Sequence, residues 1–170
     1  MVQEQYWKEI YQLKTHINFI ELQLEKSENI DRGLKILLAI ASSSSIGAWV
    51  IWTHLSWLWA GIIASSQVVS AIKSYLPYKN RIKAYTSLLH ELEELMIQAE
   101  FKWHAIAGGK LTASEIHKAR FEIRAAKQKS LKKNIFTTIP TNSSMHKKAE
   151  KSANEYFSNF YLTEGDKDVK

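Results

Sequence analysis

The feature that most constrains this chain is a run of 37 residues, Ile36 to Ile72, without a single Lys, Arg, Asp or Glu. A polar turn at residues 53–56 divides the run into two nearly equal halves. Because a helix rises about 1.5 Å per residue, each half would span about 26 Å, close to the lower limit for a hydrocarbon core about 30 Å thick. The run therefore predicts a hairpin of two transmembrane helices.

Aromatic residues mark both ends of this predicted hairpin. Indole and phenol rings favour the headgroup region of a bilayer, so their positions support membrane insertion. A buried helical hairpin in a soluble protein is the alternative, because both halves are short and contain Ser, Gln or His. The aromatic residues are Trp49, Trp52, Trp57 and Trp59 around the turn, and Tyr75 and Tyr78 at the opposite end.

Positive charges flank the predicted hairpin and are missing from its turn. Such charges accumulate on the cytoplasmic side of membrane proteins, so we expect both termini in the cytoplasm. Residues 1–33 contain six acids and no apolar core like that of a signal peptide, so the first span itself is expected to direct insertion. The flanking cations are Lys26, Arg32 and Lys35 before the hairpin, and Lys73, Lys79, Arg81 and Lys83 after it.

Outside the hairpin, two series of apolar residues recur alternately four and three positions apart, as on one side of a helix. The first series predicts a long amphipathic helix that ends near Asn29 to Gly33, and the second predicts a stalk that continues the second span. Pro77 would be a hinge in this stalk, because proline removes a backbone hydrogen bond. The first series is Tyr6, Ile10, Leu13, Ile17, Ile20 and Leu24; the second is Tyr78, Ile82, Tyr85, Leu89, Leu92, Met96, Ala99, Trp103 and Ile106.

The C-terminal part predicts two further helices. Gly108-Gly109 ends the stalk, and Thr112 with Glu115 three residues later has the pattern of a capping box. A basic helix would follow over about residues 113–132, and after a loop a short helix over about residues 144–161. The short helix offers apolar side chains to a partner, namely Met145, Ala149, Ala153, Tyr156, Phe157 and Phe160.

These patterns together predict an all-α membrane protein with two transmembrane helices in a hairpin and a helical cytoplasmic domain that oligomerises. The expected parts are an N-terminal amphipathic helix (1–33), the transmembrane hairpin (34–76), the stalk helix (77–107), and a basic helix with loop, short helix and tail (108–170).

Small and polar residues within the hairpin are the candidates for function. They could pack the two helices closely, or they could line a water-permeable pathway in an oligomer. Four consecutive serines cannot all face one helix, because successive residues turn by about 100 degrees, so several neighbours are needed. The candidate pore-lining or packing residues are Ser42, Ser43, Ser44, Ser45 and Gly47 in the first half, and Gly61, Ser65, Ser66, Gln67 and Ser70 in the second.

Motifs that carry chemistry are weak in this sequence. The chain has no cysteine, so it offers no thiolate nucleophile and no disulfide. His90-Glu91-x-x-Glu94 lacks the second histidine of a zinc protease motif, and His104 and His117 have no obvious carboxylate partner. We therefore expect no enzymatic activity, no metal and no cofactor.

Charge is distributed unevenly along the chain. Residues 102–133 contain nine Lys or Arg against two acids, whereas residues 1–32 contain six acids against four bases, so the two segments could attract each other. The basic helix could be a solvated or acid-paired face, or it could contact anionic lipid or a phosphorylated ligand. Nucleic-acid binding is not expected, because bases stack on aromatic side chains and Phe121 is the lone aromatic residue of the basic helix. The candidate lipid or phosphate contacts are Lys118, Arg120, Arg124 and Lys127.

The order of these parts resembles the SLATT domains, a family of two-span bacterial proteins. The resemblance covers most of the chain, and where the family has Ala-Pro this chain has Ile139-Pro140. The matching elements are the N-terminal helix, the paired spans, Tyr85, Leu88, Leu92 and Leu95, then Trp103-x-x-Ile106-x-x-Gly109-x-Leu111-Thr112-x-x-Glu115-Ile116, Arg120-x-x-x-Arg124, and a closing helix with Ala149, Ala153 and Phe157.

The resemblance implies a pore-forming or membrane-disrupting effector of a bacterial defence system in the inner membrane. It also implies that the effector stays inactive until a linked sensor or a nucleotide-second-messenger protein acts. Its expected partners are membrane lipid and further copies of the chain. The alternative that the residues leave open is an inert two-span anchor whose cytoplasmic coiled coil scaffolds another protein.

Overall fold

A computed structural model describes residues 2–43, 56–73, 78–136, 138–140 and 142–161 of the chain. These residues contain five α-helices and no strand, so the predicted all-α class is confirmed for the part described. Two compact units divide the chain, and the boundary falls within the first and third helices. The helices are α1 (Val2–Ser43), α2 (Ser56–Lys73), α3 (Tyr78–Ala107), α4 (Ala113–Asn134) and α5 (Ser143–Tyr161).

Helix α1 is 42 residues long and continues through Gly33, so the predicted end of the first helix near this glycine is wrong. A glycine within a helix costs only about 1 kcal/mol relative to alanine, which is too little to end a helix by itself. An ion pair one turn apart crosses the same position, with Lys35 Nζ 2.6 Å from the Asp31 carboxylate. The glycine is therefore tolerated within an otherwise regular helix.

The first unit comprises Met1–Leu24 and Ala84–Lys170. Its core is built mainly from the two predicted apolar series, which pack together in a single cluster with residues from α4 and α5. The Tyr6 hydroxyl, fully buried in this cluster, donates a hydrogen bond to the Ala99 carbonyl oxygen at 3.1 Å. The buried members are Tyr6, Ile10, Leu13, Ile17 and Ile20 from α1, Tyr85, Leu88, Leu92, Met96, Ala99 and Ile106 from α3, Ile116, Ala119 and Ile123 from α4, and Phe157 from α5.

This packing changes the expected use of the two apolar series. We expected them to join copies of the chain, but most of their described side chains in the first unit are buried or partly buried within one chain. An oligomer, which stays a prediction, would then use other surfaces. The same applies to α5, whose buried Ala149, Ala153 and Phe157 pack within the first unit.

Local sequence signals at the start of α4 are confirmed. Gly109 has a left-handed backbone conformation, with φ of 67°, which suits glycine and ends α3. The Glu115 N–H donates to the Thr112 side-chain oxygen at 3.3 Å, and the Thr112 N–H donates to the Glu115 carboxylate at 2.8 Å. These reciprocal bonds form the predicted capping box, so the short connection between α3 and α4 is fixed by its own residues.

The second unit comprises Glu25–Lys83 and contains the end of α1 and all of α2. Among the residues that the structure describes, no helix combines the length and the apolar character that crossing a membrane requires. Large apolar side chains are nevertheless exposed along this unit. They are Ile36, Ile40, Trp57, Leu58, Ile63 and Val68.

A carboxylate on α3 holds the end of α4. The Glu91 carboxylate accepts hydrogen bonds from Lys133 Nζ at 2.7 Å and from Asn134 Nδ2 at 3.2 Å. These bonds, with a further one involving Ser130, lower the pKa of Glu91 from its ordinary value of 4.5 to about 2. The clamp therefore needs the ionised carboxylate.

Replacement of Glu91 by Gln should remove this acid-sensitive contribution to stability. Because the pKa of Glu91 is lower in the folded chain than in the unfolded chain, its contribution is complete above pH 4.5 and is lost as the pH falls toward 2. We expect the wild-type chain to melt at a higher temperature than E91Q at neutral pH, and the difference to vanish near pH 2. Tryptophan fluorescence reports the melt, because the rings of Trp7 and Trp103 pack together in the first unit, with centroids 4.9 Å apart, and separate on unfolding.

The matched control is E94Q, since Glu94 is exposed on the same helix. E91Q and E94Q each remove one carboxylate from the same helix, so the comparison isolates the contribution of position 91. A difference between wild type and E91Q that stays constant over the acid range would contradict the assigned role of the carboxylate.

Candidate functional site

The predicted polar residues of α2 fall into two groups. Gly61 and Ser65 line a shallow groove with Leu37 of α1, with a volume of about 250 Å³. Apart from its chain neighbours and the backbone of its own helix, no atom of the described residues lies within 4 Å of a Cβ placed on Gly61. The predicted partners of this glycine in the first half of the hairpin lie outside the described side chains, so the close approach of the two spans stays a prediction.

Ser66 differs from its polar neighbours on α2. Its side chain is buried, and its hydroxyl donates to the Ile63 carbonyl oxygen one turn earlier at 2.7 Å. Ser65, Gln67 and Ser70 are exposed in the single chain. The hydroxyl of Ser66 is therefore satisfied within its own helix, whereas the other three side chains are available to water or to a neighbouring molecule.

The remaining candidates of the hairpin receive no structural test. Ser42 and Ser43 belong to the last turn of α1, and their side chains lie outside the described part of the structure. Ser44, Ser45 and Gly47, and the candidate hinge Pro77, also lie outside the described residues. Their proposed roles stay predictions.

The basic helix α4 is tied to α1 by an almost fully buried carboxylate. Glu9 is 3% exposed, and its carboxylate accepts a hydrogen bond from Arg124 Nε at 2.6 Å. Arg120 approaches the same carboxylate with Nε at 3.6 Å and donates from Nη1 to Gln5 Oε1 at 2.5 Å. The expected attraction between the acidic N-terminal segment and the basic helix is thus confirmed. The geometry favours the acid-paired interpretation for these two arginines.

The Arg120 contact is an ion pair without a hydrogen bond at Nε. The Nε atom is buried and has no hydrogen-bond partner, because 3.6 Å to Glu9 is too long for one. Two cations therefore share one carboxylate, and Arg124 holds it more closely. An exposed pair between Lys102 Nζ and the Glu122 carboxylate, 3.0 Å apart, adds a second link between α3 and α4.

The two lysines among the candidates lie in different surroundings. Lys118 is exposed on α4. Lys127, on the same helix, lines a cleft formed with residues of α1 and α5. Contact of either lysine with lipid or phosphate stays a prediction, but of the four candidates Lys127 is the one that lines this cleft.

Sequence reasoning missed Glu9 and His16 as members of this region. Both lie on α1, Glu9 beside the buried Ile10 and His16 beside the buried Ile17. The available signal was a polar residue next to a buried apolar residue on the same helix. It does not identify the partner, because Arg124, which bonds to Glu9, is 115 residues away in the sequence. Within the described residues, no three His, Cys, Asp or Glu side chains converge as a metal site would require.

Replacement of Glu9 by Gln should weaken the attachment of α4 to α1. A hydrogen bond to a charged group contributes about 1.5 to 3 kcal/mol, and both arginines lose their counter-charge, so we expect a loss of this size in the free energy of unfolding. Urea titration followed by tryptophan fluorescence measures it. The control E21Q, at an exposed position of the same helix, should change the free energy of unfolding little. Equal effects of the two substitutions would show that the Glu9 ion pair adds no stability.

Comparison with known proteins adds no relative: the chain matches no family model, no curated protein and no solved structure. The resemblance to SLATT domains therefore depends only on the residues quoted for it.

Proposed function

We propose that this chain is a pore-forming or membrane-disrupting effector of a bacterial defence system, which oligomerises in the inner membrane and opens a polar pathway on a signal. Residues 34–76 would form the membrane hairpin, with both termini in the cytoplasm. The proposal extends the confirmed all-α fold to a membrane protein with two spans.

The observation that carries the proposal is the set of exposed apolar side chains within the uncharged run of the second unit. The first unit buries most of its apolar residues in one cluster. It also exposes large apolar residues, but these lie in segments that carry Lys, Arg, Asp or Glu, namely Ile97, Phe101, Phe121, Phe136 and Phe160. In the second unit, large side chains of the uncharged run stay exposed in the single chain, with Trp57 73% and Val68 56% exposed. Burial of such a side chain is worth about 1.5 to 3 kcal/mol, so a surface of this kind favours being covered by lipid or by other copies.

The exposed polar residues of α2 support a second contact surface. Ser65 and Gly61 are about 40 degrees apart around the helix, and both line the groove with α1. Gln67 and Ser70 are about 60 degrees apart from each other and about 140 degrees or more from Ser65. Their side of α2 therefore faces away from the groove, where an amide and a hydroxyl require another copy or water.

We infer a different role for each of these two groups of candidate residues. Gly61 and Ser65 would serve contacts between the two spans of one chain, whereas Gln67 and Ser70 would face the pathway or the neighbouring copy. A signal received by the first unit would reach the membrane segment through α1, which runs from one unit into the other without a break.

The test is membrane potential in bacteria that express the chain inducibly, followed with a voltage-sensitive dye. We expect depolarisation by the wild type and a return to nearly the uninduced signal with Q67L/S70L, because the substitution removes the polar side of α2. The matched control V68L leaves that side unchanged, and it should depolarise like the wild type. A variant with Leu at Ser42 to Ser45 tests the other half of the hairpin.

Membrane fractionation of the same cells makes the outcomes decisive. Recovery of the wild-type chain in the soluble fraction after induction would overturn the membrane role. Equal depolarisation by wild type and Q67L/S70L would move the pathway away from these residues. A membrane-bound chain that leaves the potential unchanged would favour the scaffold instead of the effector.

A further inference from the structure

A cleft of about 740 Å³ opens in the first unit between α1, α4 and α5. This volume lies within the range of about 300 to 1,000 Å³ that is usual for small-molecule sites. Neither the membrane segment nor the Glu9 ion pair contributes to its walls. Its presence is therefore not explained by the proposed pore.

One side of the cleft is aromatic. Tyr11 and Phe19, two turns apart on α1, both line it, and His146 of α5 lies against Phe19 with ring centroids 6.0 Å apart at 62°. The Tyr11 hydroxyl already donates to Asn154 Oδ1 at 2.9 Å, which fixes the position of its ring. These rings form an apolar wall suited to a flat ligand.

The other side of the cleft favours negative charge. Lys127 of α4 lines it, and none of the ion pairs among the described residues involves this lysine. Ser143, the first residue of α5, also lines it, so the positive end of the helix dipole lies nearby. The N–H groups of Ser144 and Met145 already donate to the Asn142 side-chain oxygen, so the helix contributes its dipole and Lys127 contributes the donor. Glu150 is the carboxylate of the cleft, and it favours a ligand with a single acidic group over a polyphosphate.

His16 reports the electrostatic character of the cleft. It lines the cleft from α1, and its Nε2 atom is buried without a hydrogen-bond partner in the structure. Burial, followed by the charges of Lys127 and His146, lowers the pKa of His16 from 6.5 to about 4. The imidazole is therefore neutral at physiological pH, and the positive surroundings already oppose a further positive charge.

We propose that this cleft binds a small aromatic anion of the size of a nucleoside monophosphate, with its ring against Tyr11 and Phe19 and its acidic group at Lys127 and the first turn of α5. The proposal rests on the cleft and its walls alone, and it does not depend on the proposed membrane role.

The first experiment is isothermal titration calorimetry of the full-length chain in mild detergent. The probes are adenosine monophosphate and phenyl phosphate, with adenosine and inorganic phosphate as separate arms. We expect adenosine monophosphate to bind more tightly than either of its parts. K127Q should weaken its binding about tenfold or more, because the substitution removes a charge-assisted hydrogen bond.

The matched control is K129Q, which removes the same charge from an exposed position of the same helix outside the cleft. It should leave the affinity unchanged. Equal weakening by K129Q and K127Q would show a general charge effect and overturn the site. Failure of both aromatic probes to bind at millimolar concentration would also overturn it, and phosphate binding as tightly as adenosine monophosphate would overturn the aromatic part.

The second readout is the titration of His16, followed by NMR of its imidazole. A bound anion offsets the charges of Lys127 and His146, so the pKa of His16 should rise from about 4 when the probe binds. Binding then takes up protons over the acid range in which His16 titrates. The facing groups that titrate or carry charge are Lys127 on α4 and His146 and Glu150 on α5. An unchanged pKa of His16 in the presence of saturating probe would place the ligand elsewhere.

Discussion

The packing of α1 against α3 is the constraint on which the rest of the first unit depends. Two apolar series with the same heptad spacing meet in one cluster, and the buried Tyr6 hydroxyl bonds to the Ala99 carbonyl within it. Helix α4 completes this cluster with three buried residues and α5 with Phe157, so their positions follow from the pair. Among the described residues, the exposed large apolar side chains that lie in an uncharged segment belong to the second unit.

The features that could be predicted from sequence are those with a local cause. The capping box joins residues three apart, and the apolar series repeat within single helices, so periodicity and capping rules sufficed. The end of the first helix was mispredicted because a lone Gly33 costs little when the Asp31 and Lys35 pair spans it. The partner of each series was not predictable either, because a heptad pattern indicates a buried side and does not identify what buries it.

Charged residues illustrate the same limit at the candidate site. The sequence presents Arg120, Arg124 and Lys127 as one basic surface, but the fold gives them different surroundings. The two arginines pair with Glu9, whereas Lys127 lies in the cleft, a separation that depends on contacts more than 100 residues apart in the chain. The uneven charge of the acidic N-terminal segment and the basic helix predicted that the two attract each other. The packing of the helices was needed to show which acid pairs with which base.

The cleft and the Glu9 ion pair both lie at the contact between α1 and α4. Each joins α1 to α4, through Glu9 with Arg124 in one case and through the walls that contain His16 and Lys127 in the other. A ligand shifts an equilibrium only by its difference in affinity for the two states, and a ligand bridging α1 and α4 binds the packed state better. It would therefore stabilise the arrangement in which α1 is docked. Withdrawal of α1 from the first unit would have to overcome both the ion pair and the ligand.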